Sequence, residues 1–314
     1  MRVGRCLISA GLALLLSAPV LAACTPTKPD VTLIVDQLRV TVHYSPSRAE
    51  RPLVVALHGL NSTGEAFAKV TGLSQYADAN NFVVAYPDAH LAPPPPAAET
   101  APAAKPAQTQ ASAFGSRTTH VNFQRAQRAA SVREDGRALS TVATSERAWN
   151  AGICCGGSTA DDVKYLRDVV TAVERRVPID RRRVYVIGLS NGGMMALKAV
   201  CEAPDVFAAA GSVAGPYLGS SCKRPVWLHL HAAKDPIVPY YGGRPPGSTF
   251  LRIANNWCLC TFPDSATEAQ RFSLQTVSVQ VAEKGVHSWP RVGDNAWNFS
   301  GNAKLWAWVS RFHL

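Results

Sequence analysis

The sequence has little charge and lacks a long apolar run. Of its 314 residues, 17% are charged and 47% are hydrophobic, which is the composition of a globular protein. The apolar run at residues 6–16 is too short to cross a bilayer as a helix. A chain of this length and composition can bury one large core, and it need not be divided into two domains.

Signals for metal ions and nucleic acids are also absent. The cysteines do not have the two-residue spacing of common zinc sites, and His229 and His231 lack a third ligand at a recognisable spacing. The net charge of +10 includes Arg2 and Arg5 near the N-terminus, and residues 92–148 hold seven basic and four acidic residues. The remaining charge is spread out without a DNA or RNA motif. We therefore expect no metal and no nucleic-acid partner.

The N-terminus has the pattern of an export signal. Arginines precede the apolar run, and Leu21-Ala22-Ala23 ends it directly before Cys24, which resembles a bacterial lipobox. This predicts a signal peptide at 1–23, a lipid on the Cys24 sulfur and a tether at 24–30. The expected location is a membrane at the cell surface or periplasm. A plain signal peptide cut near Ala23, giving a secreted protein, is the alternative.

Export would place the mature chain in a compartment that permits disulfides. An even number of cysteines follows Cys24, which fits three bridges, but the sequence does not assign their partners. These cysteines are Cys154, Cys155, Cys201, Cys222, Cys258 and Cys260.

The stretch Tyr185–Met195 contains the motif Gly-Leu-Ser-Asn-Gly centred on Ser190. An apolar, β-branched run before the motif predicts a buried strand, and the helix formers after it predict a helix. This is the Gly-x-Ser-x-Gly elbow, a sharp strand-to-helix turn that exposes a serine hydroxyl above the sheet edge. Glycines two residues before and after the serine leave room for a strained backbone. Ser190 is therefore a candidate nucleophile.

An aspartate and a histidine follow the serine along the chain. Asp235 comes after an apolar run at 226–230, and His287 comes after an alternating run at 273–281. The order serine, acid, histidine is that of α/β-hydrolases. We predict that His287 takes the proton from Ser190 and that Asp235 fixes the tautomer of His287 and stabilises its cation.

An earlier apolar run at 52–57 predicts a buried parallel strand that ends in His58-Gly59-Leu60. In α/β-hydrolases this loop gives one oxyanion-hole N–H, here that of Leu60, beside the N–H of Asn191 after the nucleophile. His58 could hold this loop in place by hydrogen bonds or contact the substrate. The first role is the favoured interpretation.

The other patterns complete a single α/β-hydrolase domain at 31–314, with a mostly parallel sheet and helices on both faces. Alternating residues at 31–44 predict antiparallel edge strands. Further predictions are helices at 64–80, from Asp161-Asp162 onward and at 249–257, and strands at 82–86 and 207–213.

Residues 92–148 interrupt this pattern. They are rich in Pro and Ala and then in Gln, Thr, Ser and Arg, with little apolar periodicity, and we interpret them as a disordered, low-complexity insertion. Because the insertion leaves after Asp88 and returns at Trp149, both of its ends should lie at the sheet edge that carries Ser190 and His287. A passive loop and a flap over bound acyl chains both remain open.

Several short motifs together resemble the secreted poly(3-hydroxybutyrate) depolymerase and feruloyl esterase family, including its lipoprotein esterases. The resemblance spans nearly the whole mature chain and implies that Ser190, Asp235 and His287 are nucleophile, acid and base. The insertion and Val286, where the family usually has glycine, depart from the pattern. The motifs are Leu57-His58-Gly59, Tyr86-Pro87-Asp88, Trp149-Asn150-Ala151-Gly152 with Cys154-Cys155-Gly156, Asp161-Asp162-Val163, Gly188-Leu189-Ser190-Asn191-Gly192-Gly193, Asp235-Pro236-Ile237-Val238-Pro239 and His287-Ser288-Trp289-Pro290.

The expected function is that of an exported serine esterase that needs no cofactor. Its candidate substrates are polyhydroxyalkanoate oligomers, feruloyl or acetyl esters and small esters, with His58, Trp149 and Trp289 as candidate substrate contacts. The alternative is a non-catalytic surface lipoprotein that uses the fold for binding. That alternative would be favoured by a missing triad member, and all three are present.

Overall fold

A computed structural model describes residues 30–92, 147–152, 158–244, 251–253, 256–258, 261–272, 276–293 and 297–314. Only the backbone is described at 251–253 and 256–258. The predicted signal peptide, Cys24, the tether up to residue 29 and most of the insertion lie outside the described residues. The export and lipidation of the chain therefore stay predictions.

An eight-stranded sheet is the centre of the fold. The described strands are β1 (Val31–Val35), β2 (Leu38–His43), β3 (Arg51–Leu57), β4 (Val83–Pro87), β5 (Ile179–Leu189), β6 (Ala209–Val213), β7 (Trp227–Ala232), β8 (Leu251–Ile253), β9 (Asn256–Cys258) and β10 (Val277–Ala282). The large sheet has the order β1-β2-β4-β3-β5-β6-β7-β10. Strands β1 and β2 are antiparallel at one side, as predicted, and the strands from β4 to β10 in this order are parallel.

The helices cover the sheet. They are α1 (Gly64–Thr71), α2 (Leu73–Asn80), α3 (Asp162–Glu174), α4 (Asn191–Glu202), α5 (Glu268–Phe272) and α6 (Gly301–Val309), with a 3-10 turn at Ser265–Thr267. The helix predicted at 64–80 is two helices, because Gly72 takes a left-handed conformation with φ of 59° between them. None of the described helices has the length and apolarity to span a bilayer.

Alternate residues of the central strands face two separate cores. Val184 and Val186 of β5 belong to the core that contains residues of α3 and α4. Tyr185 and Ile187 belong to the opposite core, which contains residues of α1, α2 and α6. A parallel strand that is buried on both faces has this continuous apolar sequence. The prediction of helices on both faces of a mostly parallel sheet is confirmed.

The helix predicted at 249–257 is wrong. Residues 251–253 and 256–258 are the short antiparallel pair β8 and β9, in which Leu251 is opposite Cys258. This stretch is rich in β-branched and aromatic residues, which favour extended backbone, and that preference prevails over the weak helical spacing.

One disulfide is described. Cys201, at the end of α4, is bonded to Cys222 in the loop before β7. The bond ties the helix that follows Ser190 to the loop that leads into the strand before Asp235. The side chains of the other four predicted disulfide cysteines lie outside the described residues.

Candidate active site

Strand register brings the predicted catalytic residues to one edge of the sheet. At their carboxyl ends, Leu189 of β5 pairs with Val213 of β6, and Ala232 of β7 pairs with Ala282 of β10. Ser190, Asp235 and His287 each follow one of these strand ends. In open parallel sheets, this edge is where ligands bind.

The backbone at Ser190 is strained in the manner of a nucleophile elbow. Its φ is 56° and its ψ is −123°, a conformation that costs a non-glycine residue on the order of 1–3 kcal/mol. A Cβ on Gly188 would lie 2.3 Å from the carbonyl oxygen of Gly192, and a Cβ on Gly192 would lie 2.3 Å from that of His58. These close approaches explain why the motif needs both glycines.

The acid and the histidine are paired. His287 Nδ1 lies 2.8 Å from Asp235 Oδ2. Asp235 Oδ1 accepts the backbone N–H groups of Ile237 and Val238 at 2.8 and 2.9 Å. Since Nδ1 of His287 is used by the carboxylate, Nε2 is the ring nitrogen that can take a proton. Among the described residues no hydrogen bond joins Ser190 to His287, and in unliganded sites such bonds are often long.

Asp235 is kept ionised. Burial alone would raise the pKa of this carboxyl, but hydrogen bonds from His231 and His287, the charge of His287 and the Val238 N–H hold the pKa well below its usual range. A charged Asp235 would stabilise a protonated ring at His287.

The loop after β3 lies beside the serine. A Cβ built on Gly59 would be 3.7 Å from Ser190 Cβ, and Leu60 follows directly. In the part of the chain that the structure describes, no hydrogen bond uses the backbone N–H of Leu60 or that of Asn191. Both predicted oxyanion donors thus lie next to the serine on segments that leave their N–H groups unused.

His58 holds this loop in place. Its Nδ1 lies 2.7 Å from the Gly59 carbonyl, and its Nε2 accepts the Ala89 N–H at 3.0 Å. A carbonyl only accepts and an N–H only donates, so these partners fix a neutral ring with its hydrogen on Nδ1. Burial lowers the pKa of His58 to about 4. The favoured interpretation of His58 as a brace agrees with these contacts.

A pairing that the sequence did not reveal joins Asn191 to Trp149. The Asn191 side chain accepts the Trp149 backbone N–H at 2.7 Å and donates to the Trp149 carbonyl at 3.0 Å. The Trp149 indole N–H donates to the His58 carbonyl at 2.9 Å. The segment after the insertion therefore connects the two loops that carry the predicted oxyanion donors. Asn191 was predicted only as a backbone donor, and its motif gave no signal for this side-chain role.

Direct substrate contact by His58, Trp149 and Trp289 is not supported. Each of these side chains has at most 1% exposure, and their polar atoms already have protein partners. The Trp289 indole donates to Asn302 at 2.8 Å, and its ring packs edge-on against Phe67. A large aromatic ring near a site can be a core residue that shapes the site or a residue that contacts the substrate. The sequence alone does not distinguish these two roles.

Two buried histidines lie behind the acid. His231 Nε2 is 3.4 Å from Asp235 Oδ2, and His229 lies between His231 and Glu268. Both histidines lie on one strand, and metal ligation was the less favoured interpretation of their spacing. Within the described ranges, no group of three or more His, Cys, Asp or Glu side chains is arranged to hold a metal ion.

The ends of the insertion meet at the same edge. Leu91 and Arg147 form an antiparallel bridge, and the Arg147 carbonyl accepts the Asn61 N–H at 3.0 Å. Arg147 also donates to the Ala89 carbonyl at 2.8 Å. The insertion thus leaves and returns beside the loop that carries Leu60, which agrees with the prediction that both of its ends lie at the sheet edge of Ser190 and His287.

Comparisons with known proteins agree with this architecture. Residues 155–219, which include Ser190, match the prolyl oligopeptidase family. The chain is 34% identical over 124 residues to feruloyl esterase B of Piromyces equi, covering 35% of this chain and 23% of that protein. It is 38% identical over 79 residues to a poly(3-hydroxybutyrate) depolymerase of Ralstonia pickettii, covering 24% of this chain and 16% of that one. The chain therefore spans less than a quarter of the length of these two relatives.

Among solved structures, the protein named sOPH in its native form has a TM-score of 0.50 at 17% identity, with 91% of this chain and 89% of that chain covered. A likeness at this identity concerns the fold alone. The chain has an α/β-hydrolase fold, and the resemblance to poly(3-hydroxybutyrate) depolymerases and feruloyl esterases that its motifs predict is confirmed.

Proposed function

We propose that the protein is an exported serine esterase that hydrolyses carboxylic esters through an acyl-enzyme on Ser190. The observation that carries this proposal is the hydrogen bond between His287 and Asp235, located at the sheet edge where Ser190 sits on a strained turn. The relatives named feruloyl esterase and poly(3-hydroxybutyrate) depolymerase support an ester as the substrate.

The mechanism follows from the atoms at this edge. His287 Nε2 takes the hydroxyl proton of Ser190 while the serine oxygen attacks the ester carbonyl. The N–H groups of Leu60 and Asn191 bind the oxyanion of the tetrahedral intermediate, and Asp235 stabilises the imidazolium. His287 then protonates the departing alcohol. Water, activated by the same histidine, attacks the acyl-enzyme and regenerates Ser190.

A panel of p-nitrophenyl esters of increasing acyl length, with feruloyl and hydroxybutyrate oligomer esters, tests the activity and narrows the substrate. Ser190→Ala should lower turnover by several orders of magnitude and leave folding intact, since a triad acts as a unit. A fluorophosphonate probe should label the wild type at Ser190. Labelling at another residue, or full turnover in the alanine variant, would overturn the proposal.

Peptide hydrolysis is a second candidate, because the matched family is named for an oligopeptidase. Peptide p-nitroanilides should be added to the same panel. Turnover of anilides above that of the esters would favour a peptidase. A chain that cleaves neither class, and whose Ser190 is not labelled, would favour the binding-only alternative.

We also propose that the chain is held at a membrane by a lipid on Cys24. The small residues before Cys24 support this processing. Cys24→Ser should move the protein from the membrane fraction to the soluble fraction and abolish labelling by a lipid precursor. Retention of the label in this variant would contradict the anchor, while secretion of an unlabelled wild type would favour the plain signal peptide.

A further inference from the structure

The buried histidine behind the acid has a fixed donor. His231 Nε2 lies 2.9 Å from the Val238 carbonyl and 3.4 Å from Asp235 Oδ2. A carbonyl oxygen can only accept, so Nε2 must carry a hydrogen. The partial positive charge of this N–H group faces the Asp235 carboxylate. Val238 is the residue whose own N–H donates to Asp235. His231 therefore contacts both the acid and the turn that holds the acid.

The same histidine begins a chain of buried contacts. Its Nδ1 lies 3.1 Å from His229 Nε2, and His229 Nδ1 lies 3.0 Å from Glu268 Oε2. The Trp227 indole N–H donates to the other Glu268 oxygen at 2.6 Å. Both histidines are fully buried, and Glu268 is 1% exposed. Ser265 Oγ lies 3.3 Å from His231 Nδ1 and is another polar contact of this ring.

The contacts of this chain set the number of hydrogens that it needs. The contacts from Glu268 to His229, from His229 to His231, and from His231 to Val238 each need one hydrogen. A carboxylate and two neutral imidazoles supply only two. The third hydrogen lies between His229 and Glu268 when His229 donates to His231, which then accepts on Nδ1 and donates from Nε2. Burial lowers the pKa of His231, which agrees with a neutral ring there.

We propose that His231 is a positioning residue for Asp235, and that the proton shared by His229 and Glu268 sets the tautomer in which His231 donates. This inference rests on the proposed function, in which Asp235 orients His287. The Nε2–H of His231 fixes the turn from Asp235 to Val238, so that the carboxylate presents Oδ2 to His287. The second histidine that touches the acid thus supports the first from the protein interior.

Two amide substitutions at His231 separate the effect of its N–H donor from the effect of its ring shape. Gln at 231 places an N–H near the position of Nε2, whereas Asn reaches only the position of Nδ1. We expect His231→Gln to keep kcat within about 5-fold of the wild type and His231→Asn to lower kcat on the order of 10- to 100-fold. KM should stay within about 2-fold in both, because Asp235 does not touch substrate. Equal losses in the two variants, or no loss in either, would overturn the role of the donor.

Glu268→Gln tests the proton count. The amide oxygen can accept from Trp227, and the amide N–H₂ can supply the third hydrogen to His229 without an additional proton. We expect kcat within about 3-fold of the wild type and unchanged folding, because all the contacts are kept. A loss as large as that of His231→Asn would overturn the count.

A proton NMR signal gives a readout independent of turnover. The His287 Nδ1–H that is bonded to Asp235 should give a far-downfield resonance in the wild type and in His231→Gln, and this resonance should be lost or broadened in His231→Asn. Its persistence in the Asn variant would overturn the positioning role. If the wild type shows this resonance but hydrolyses no ester, the proposed function fails while the positioning of Asp235 stands.

Discussion

The nucleophile side and the acid side of the site are held by different means. Around Ser190, the shape comes from backbone in close approach, with glycines at 188 and 192 where a Cβ would overlap carbonyl oxygens. Around Asp235, it comes from side-chain hydrogen bonds to His231 and His287. The two glycines of the first arrangement are sequence neighbours of Ser190, whereas the second arrangement brings His287 to an acid that lies 52 positions earlier in the chain. The two sides should therefore lose activity or stability through different kinds of substitution.

The largest effect is expected on the acid side. Asp235→Asn keeps the shape but removes the charge that stabilises the His287 imidazolium and selects its tautomer. We expect kcat to fall on the order of 10³- to 10⁴-fold, with a small change in KM. Steady-state kinetics on a p-nitrophenyl ester measures this. Asp168→Asn changes a partly exposed acid of α3 that pairs with Lys164, and this control should retain full activity. A fall of less than about 10-fold in the Asp235 variant would contradict the role of the charge.

On the nucleophile side, the sharpest test is pH, because His58 is buried as a neutral ring. Its pKa is about 4 in the folded protein, against about 6.5 in an unfolded chain. Between these values the unfolded chain binds more protons, so stability is fully present above pH 6.5 and is lost as the pH falls toward 4. The loss from this group should be about 3 kcal/mol. Urea unfolding at a series of pH values measures it.

His58→Gln is the matched control for this pH dependence. The amide oxygen of Gln can accept the Ala89 N–H, but the group does not titrate. His231 also has a lowered pKa and destabilises the fold in the same direction, so the difference between the wild type and the Gln variant isolates His58. An identical pH dependence in the two proteins would show that His58 does not carry it.

The contrast between these two sides also explains how much of the site could be predicted from the sequence. The elbow and the serine, acid and histidine order are local or follow strand ends, so the positions of Ser190, Asp235 and His287 could be predicted from patterns. The contact between His229 and Glu268 could not, because Glu268 lies 39 positions further along the chain on a short helix that no pattern indicated. The burial of Trp149 and Trp289 was missed for a similar reason, since exposure is decided by tertiary packing.

A smaller effect is expected where the two oxyanion segments are joined. Asn191→Asp keeps the acceptor for the Trp149 N–H but places an oxygen against the Trp149 carbonyl in place of a donor. We expect the free energy of unfolding to fall by about 1–3 kcal/mol, since a buried carbonyl loses its partner. Turnover should fall as well, because the loops of Leu60 and Asn191 are no longer held together.

Asn80→Asp is the control for the Asn191 variant. Asn80 donates to the Tyr76 carbonyl at the end of α2, so the same change removes a similar bond away from the predicted oxyanion donors. Chemical unfolding and kinetics should be measured on both variants. Should both lose stability but neither lose turnover, the Asn191 side chain would be structural and would not position the oxyanion donors.

The smallest effect on turnover is expected from the insertion. Residues 93–146 leave from and return to a pair of segments that are already bridged at Leu91 and Arg147. Replacing them with a Gly/Ser linker of about eight residues should change turnover of an acetate ester by less than about 2-fold. For a passive loop, closing the shorter connection should raise the free energy of unfolding by no more than about 2 kcal/mol. Urea unfolding and a panel of acetate and bulky esters measure both quantities.

A Gly/Ser replacement of the original length separates the length of the insertion from its sequence. A passive loop predicts equal turnover in the wild type and in both replacements for every ester, because the bridge at Arg147 and its contact with Asn61 are kept in all three. A flap predicts that both replacements lose activity on bulky esters while keeping it on acetate. Loss of activity on acetate in the short variant alone would mean that the bridge is strained by the shorter connection, and that the insertion helps to hold the Leu60 loop.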